Sequence, residues 1–424
     1  MSSSKINKIK NFHPHPVTGK TDDSFVGLRI KGNDIHFFYP ESYRFDEESL
    51  KVRMDIIDLL RTISIAKTSS IEPSRANNTT KVQGEYALMS YIWVIRDFLA
   101  NGFYINREKT YKVNESGRVD WKRTMGTQPI VSNRNIIYPN IIVSVKNEVD
   151  NLIVDIHKYC VKKSIDFIGW LFNLSSSFIE TKPFNAGIKK LYVATIQKEL
   201  DKTFEDDKRI RLKHLLNVVV GLDTNENNDE FVYGVDSYYY IFERMIDSIF
   251  GNVKNMADFN PKASWQLLQN NYQERNSRDL RPDTIIVRDD GSVFILDSKF
   301  YRFGFTGDES DLPETTSIQK QITYGEYISK YVTKVDVKEV YNAFLLPYDK
   351  ERDKFRSEDN LQYIGFAKSK WKDNKLGYEL VHTFLIDLHH VVKTWSRLNH
   401  SDDVERLVSE ILEHNEEVKG ILGV

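Results

Sequence analysis

Asp297-Ser298-Lys299 closes the apolar run Val293-Phe294-Ile295-Leu296, and a further aspartate, Asp283, stands at the head of the short run Thr284 to Val287 just upstream. Side chains of a strand alternate between faces, so Asp297 and Lys299 share one. The turn decides whether Asp283 joins them. A two-residue Asp290-Gly291 loop would set Asp283 across from Ser298 and on the wrong face, whereas a three-residue Asp289-Asp290-Gly291 loop with left-handed Gly291 pairs Arg288 with Ser292 and Asp283 with Asp297. The two carboxylates then stand roughly 5 Å apart at Cβ, with an ammonium two residues along. Mg²⁺ takes hard oxygens in near-octahedral geometry and keeps several waters, so Asp283, Asp297 and the backbone carbonyl of Ser298 suffice to hold it against a phosphate. Mn²⁺ is expected to substitute, being suited by the same oxygens. Lys299 would orient the attacking water or help deprotonate it while the metal stabilises charge on the phosphate, which is the chemistry of phosphodiester hydrolysis.

Two elements must place these groups. The run from Val293 to Leu296 is apolar on both faces, as expected of a central strand, and charges at the end of such a strand are costly unless used or paired. Upstream, Phe242, Met245, Ile246, Ile249 and Phe250 form the apolar face of a helix that Gly251 ends, and Glu243 near that face is a candidate further metal-side carboxylate. The acid-x-lysine spacing recurs at Asp120-Trp121-Lys122, Asp206-Asp207-Lys208 and Asp373-Asn374-Lys375, but none of these ends an apolar strand with a Pro-Asp pair one hairpin upstream.

The chain is 424 residues long, 40% hydrophobic and 28% charged, with a formal net charge of -2, which points to two or three globular units. No apolar run is long enough to cross a membrane, and no apolar segment follows the basic N-terminus as a secretory signal would require. The single cysteine, Cys160, fits a reducing cytoplasm. His13-Pro14-His15-Pro16 disfavours regular structure, so residues 1–20 read as a loose arm; Phe25 to Tyr39 reads as a hairpin turning at Gly32-Asn33-Asp34. Helices are expected from Asp46 to Lys67, Glu85 to Ala100, Val149 to Phe172 and across Lys182 to Leu222, with a polar linker at 68–80. The apolar-free stretch Asp223 to Glu230 marks the boundary between an N-terminal mixed α+β region (1–225) and a C-terminal α/β domain (226–424). In the latter, a helix near 317–330, strands at 341–348, 361–368 and 379–384 and helices over 386–398 and 402–419 follow the hairpin.

Pro282-Asp283 followed by Asp297-Ser298-Lys299 resembles the PD-(D/E)xK nuclease motif, and Lys320, Gln321 and Tyr324 resemble the Gln/Tyr helix that often follows it, spaced Gln-x-x-Tyr rather than the Gln-x-x-x-Tyr of the RecB-like branch. Phe242-Glu243-Arg244-Met245-Ile246, the segment Gly117 to Thr124 and the order of elements are similar to LlaJI-type restriction endonucleases and the related McrC nuclease subunits. The resemblance implies a restriction-endonuclease-like fold, cleavage of double-stranded DNA in a bacterial restriction system, and a partner of the McrB type, an AAA+ GTPase engaged by the N-terminal region, so that GTP enters only through the partner. Within it Gln321 is expected to orient Lys299 or contact phosphate. Arg118, Lys122 and Arg123 around Trp121, with Lys320 and Tyr324, are candidate contacts for DNA or the partner, against a bland reading of the Trp121 segment as a solvated turn with a buried tryptophan. A self-contained restriction enzyme and a non-catalytic scaffold are the alternatives.

Gly19-Lys20-Thr21 is similar to the end of a P-loop, but residue 14 is proline and no apolar strand precedes it, which excludes a nucleotide site. His157 and Cys160 lack the second pair a structural zinc needs, and read as a surface histidine and a packed cysteine. His389-His390 reads as a satisfied core pair, and the charged run around Lys208 to Lys213 as a solvated helix face.

Overall fold

A computed structural model describes residues 11–20, 22–31, 34–46, 51–63, 85–104, 107–132, 135–148, 152–182, 185–221 and 230–424. The expected turn at 32–33, the helix start at 47–50, the polar linker at 68–80 and the apolar-free stretch at 223–229 lie outside these residues, as does the first half of the expected N-terminal arm. The chain forms two compact units, Met1–Gln83 with Glu230–Val424, and Gly84–Asp229. The division expected near residue 225 is thus joined by a second one near residue 83, and the first 83 residues belong with the C-terminal part.

The reason is strand pairing. β1 (Phe12–Val17), β2 (Val26–Lys31) and β3 (Asp34–Pro40) form a four-stranded sheet whose fourth member is β4 (Glu230–Val235), in the order β1-β3-β2-β4. β2 and β4 pair antiparallel from Val26↔Val235 to Lys31↔Glu230, so a strand that follows the apolar-free stretch completes a sheet begun near the N-terminus. The His-Pro-His-Pro run is not a loose arm: it is β1, parallel to β3 at the edge of the sheet, where proline is tolerated because one side of the backbone has no neighbour to bond. Leu28, Phe37 and Tyr233 are buried on one face of this sheet, and the Tyr233 hydroxyl donates to the Leu60 carbonyl of α1 (Val52–Thr62) at 3.2 Å.

α2 (Tyr238–Phe250) follows β4, burying Phe242, Met245, Ile246, Ile249 and Phe250 at helical spacing. The five-stranded sheet comprises β5 (Thr284–Val287), β6 (Ser292–Ser298), β7 (Glu339–Tyr348), β8 (Leu361–Lys368) and β9 (Leu380–Asp387), in the order β5-β6-β7-β9-β8. β5 and β8 run antiparallel to their neighbours; β6, β7 and β9 are parallel. β6 is internal as its composition requires, with Val293, Phe294, Ile295 and Leu296 fully buried. α3 (Thr315–Tyr331) packs Ile322, Tyr324 and Ile328 against Ile285, Val293, Ile295 and Phe344, and α4 (Leu388–Thr394) and α5 (Ser401–Leu422) complete the unit. The architecture is mixed α/β.

The second unit is helical with a β insertion. Helices Glu85–Asn101, Leu152–Ile168, Ala186–Lys202 and Asp206–Gly221 form it; the helix expected across 182–222 is broken at Thr203. Arg211 of the charged run is not merely solvated: its guanidinium makes two bonds to the Asp97 carboxylate, at 2.7 and 2.9 Å. His157 is buried rather than on the surface, and that burial lowers its pKa to about 4. The insertion carries a three-stranded sheet, Arg107–Val113, Ile142–Glu148 and Arg118–Val119, and a short hairpin at Ile130–Ser132 and Asn135–Ile137.

Candidate active site

The register of the β5-β6 hairpin places the acids. Thr284 pairs with Leu296 and Val287 with Val293, so Asp283 comes level with Asp297 at the mouth of the hairpin. The loop is the three-residue form: the Arg288 amide donates to the Ser292 carbonyl at 3.0 Å, the Gly291 amide to the Arg288 carbonyl at 3.1 Å, and Gly291 has φ +89°. Only glycine takes that conformation at little cost, and a Cβ there would lie 2.5 Å from the Asp336 carbonyl. A local turn preference thus brings two carboxylates to one face.

Lys299 Nζ lies 2.6 Å from Asp297 Oδ2, and the Ser298 amide donates to Asp283 Oδ2 at 3.2 Å. Burial, then the Asp297 and Glu243 carboxylates, push the Asp283 carboxyl well above the usual carboxylate range, and Lys299 offsets only part of this. For Lys299, burial works against the charged form but the Asp297 and Asp283 carboxylates outweigh it, so its pKa is raised and the ammonium is charged at neutral pH. Glu243 lines the same cleft as Ser298 and Lys299. Among the described residues no group of three or more His, Cys, Asp or Glu side chains is arranged to hold a metal ion. The set compatible with Mg²⁺ is therefore the Asp283-Asp297 pair, which fits an ion that needs one or two carboxylates and keeps its waters, with Glu243 acting on it through charge. An excess of buried negative charge around Asp283 is the local feature that a divalent cation would relieve.

Gln321 and Tyr324 sit deeper in the core on the same side of the sheet as the acids, because α3 packs against Ile285, Val293 and Ile295, which alternate onto one face with Asp283 and Asp297. Their i, i+3 spacing turns both toward the sheet. Gln321 Nε2 donates to the Ile295 carbonyl at 2.8 Å and the Tyr324 hydroxyl to the Arg281 carbonyl at 2.7 Å, each carbonyl two residues before one of the acids. Both side chains are almost fully buried, at 1% exposure; Tyr324 braces the Arg281 segment, and Gln321 bonds the strand through Nε2 while its buried Oε1 has no hydrogen-bond partner among the described residues. The Gln-x-x-Tyr spacing was the signal for this clamp. Lys320 is half-buried with its ammonium 5.6 Å from the Tyr324 ring. Arg118, Lys122 and Arg123 are exposed in the other unit, where Arg123 stacks on Tyr111 at 3.8 Å. Trp121 is not the buried residue of the bland reading: it is 62% exposed. The histidine pair is satisfied as expected, His389 by Asp55 at 3.1 Å and His390 by Asp403 at 3.0 Å.

The chain is 23% identical over 356 residues to the Type II restriction enzyme BsuMI component YdjA of Bacillus subtilis (strain 168), covering 78% of this chain and 74% of that one. Among solved structures it is similar, at 12% identity and a TM-score of 0.41 over 92% of this chain and 83% of that one, to a chain of the half-complex of Thermococcus gammatolerans McrB AAA+ hexamers with bound McrC. A chain of the McrBC complex of the same organism matches at 16% identity and a TM-score of 0.25, over 53% of this chain and 64% of that one. The model of the LlaJI restriction endonuclease family matches residues 25–372, and across that span the chain belongs to this family.

Proposed function

We propose that the chain is the nuclease component of a bacterial restriction system, cutting double-stranded DNA with Mg²⁺ at Asp283 and Asp297 on a PD-(D/E)xK fold. The observation that carries this reading is the hairpin register, which sets Asp283, Asp297 and Lys299 together at one end of a central strand. Asp283 and Asp297 would hold the ion, with the Ser298 carbonyl as a further oxygen. When bound, that ion supplies charge stabilisation on the phosphate and a more acidic water. The Lys299 ammonium, kept protonated by its carboxylate neighbours, donates hydrogen bonds that fix the water and the phosphate oxygens. Gln321 and Tyr324 hold the two strands at the spacing the ion requires.

An McrB-like AAA+ GTPase is the proposed motor partner, engaged through the Gly84–Asp229 unit and supplying the only GTP site. In that unit's insertion Trp121 is 62% exposed, and the paired Val131 and Ile136 are 72% and 63% exposed, apolar side chains of the kind found at interaction sites. Supercoiled and linear DNA incubated with the reconstituted system, Mg²⁺ and GTP should be cut. Replacing Asp297 or Lys299 with alanine should slow cleavage by about 10²-fold or more. An undiminished rate in either variant would show that the site lies elsewhere.

A further inference from the structure

The Thr18-Gly19-Lys20 turn, unfit for nucleotide binding, forms part of the wall of the cleft that holds Lys299. The cleft measures about 480 Å³, and Thr18, Gly19 and Lys20 line it together with Glu243, Ser298 and Lys299. The turn is braced from within: the amide and hydroxyl of Thr18 both donate to Asp23 Oδ2 at 2.9 Å, and the Gly19 amide donates to the Asp23 carbonyl at 2.9 Å. It is also seated on the active-site segment. Gly19 adopts φ +76°, and a Cβ there would come within 3.8 Å of the Phe300 ring, the residue after Lys299. Just past β3, Glu41 forms a two-pronged pair with the Arg302 guanidinium, whose Nη2 bond measures 3.0 Å, and Arg302 lines the same cleft.

Among the described residues three cations line the cleft, and two are paired: Lys299 with Asp297 and Arg302 with Glu41. Lys20 is exposed and forms no ion pair among the described residues. Asp236, Glu243, Asp311 and Glu314 also line the cleft, so among the described residues Lys20 is the lining cation without a carboxylate partner for a polyanion to meet. The geometry points to Lys20 as a substrate-binding residue of the nuclease site, holding a backbone phosphate of the DNA near the one that is cut. This assignment rests on the nuclease reading. It gives the N-terminal sheet a share in substrate binding.

The test uses the full chain in its reconstituted system and a short fluorescent DNA duplex, with Ca²⁺ replacing Mg²⁺ so that binding is read without cleavage. Lys20→Ala should weaken binding by about tenfold and shrink the slope of log affinity against log salt by about 0.9, the signature of one lost phosphate contact. Its KM for DNA under Mg²⁺ should rise by more than its kcat falls, and Lys20→Arg should restore both readouts. Lys31→Ala, exposed on the same sheet but outside the cleft, is the matched control. An unchanged salt slope for Lys20→Ala, or an equal loss for Lys31→Ala, overturns the assignment while leaving wild-type cleavage and the nuclease reading intact. A wild-type system that neither binds nor cuts the duplex defeats the nuclease reading and the Lys20 contact with it.

Discussion

As a proposed metal ligand, Asp283 meets two demands that conflict. A metal site wants its carboxylate ionised, yet burial and the Asp297 and Glu243 charges hold its proton well above the usual carboxylate range. The unfolded chain releases that proton more readily, so ionisation of this group favours unfolding: its contribution to stability is full in acid and is lost as pH rises from the ordinary aspartate range through the raised folded value. Asp283→Asn keeps the shape, and its side-chain oxygen can still accept the Ser298 amide bond, but the charge is gone. Calorimetry at neutral pH should then show a Tm higher by about 2 °C and a flatter dependence of stability on pH across that window, while cleavage falls by about 10²-fold or more. A variant that melts lower than wild type would mean that the Asp283 charge stabilises the fold. On the proposed metal role, function would cost stability at this single residue.

At the scale of elements, the hairpin sets the chemistry through its loop length. A slip of one residue would flip Asp283 to the far face, since strand side chains alternate. Gly291 guards that register twice, by its φ of +89° and by the space its missing Cβ leaves beside the Asp336 carbonyl. Gly291→Ala should cost about 2 kcal/mol in urea denaturation, the scale of a strained non-glycine conformation, and should reduce cleavage in parallel. A fully stable Gly291→Ala protein would show that the loop relaxes to another turn without cost. The Gln321-Tyr324 clamp on α3 then fixes both strands from the core beneath the acids, which is why these residues are buried.

At the scale of the molecule, the unit that carries the candidate site is discontinuous in sequence. β4 takes its partner from β2, and the Tyr238 hydroxyl meets Thr62 Oγ1 at 2.9 Å, so the chain leaves this unit and returns to it at neighbouring points. A fragment of residues 226–424 should therefore give no cooperative melt, having lost the strands that cover Tyr233. Joining residue 63 to residue 230 through a short Gly/Ser linker, with the intervening unit removed, should give one cooperative transition. Calorimetry of both fragments decides the matter: cooperative melting of 226–424 alone would show that the N-terminal sheet is dispensable for folding.

Much of the site was legible because its determinants are local. The apolar run of β6 and the alternation of strand side chains put Asp297 and Lys299 on one face within a few residues, and Asp289-Asp290-Gly291 allows two loop lengths, of which the three-residue form adds Asp283. The helices and strands after residue 310 followed from periodicity for the same reason, each carrying its own pattern. Contacts between distant segments were not legible. That Pro14 and Pro16 sit in an edge strand, that Tyr324 braces the Arg281 carbonyl, that Trp121 is exposed and His157 buried, and that Lys20 lines the cleft of Lys299 all depend on partners tens to hundreds of residues away. The sequence by itself determined the candidate groups, through residue type and strand alternation; only the folded structure decided the loop length that joins Asp283 to them and which parts of the chain enclose them, because pairing between remote strands leaves no local pattern to read.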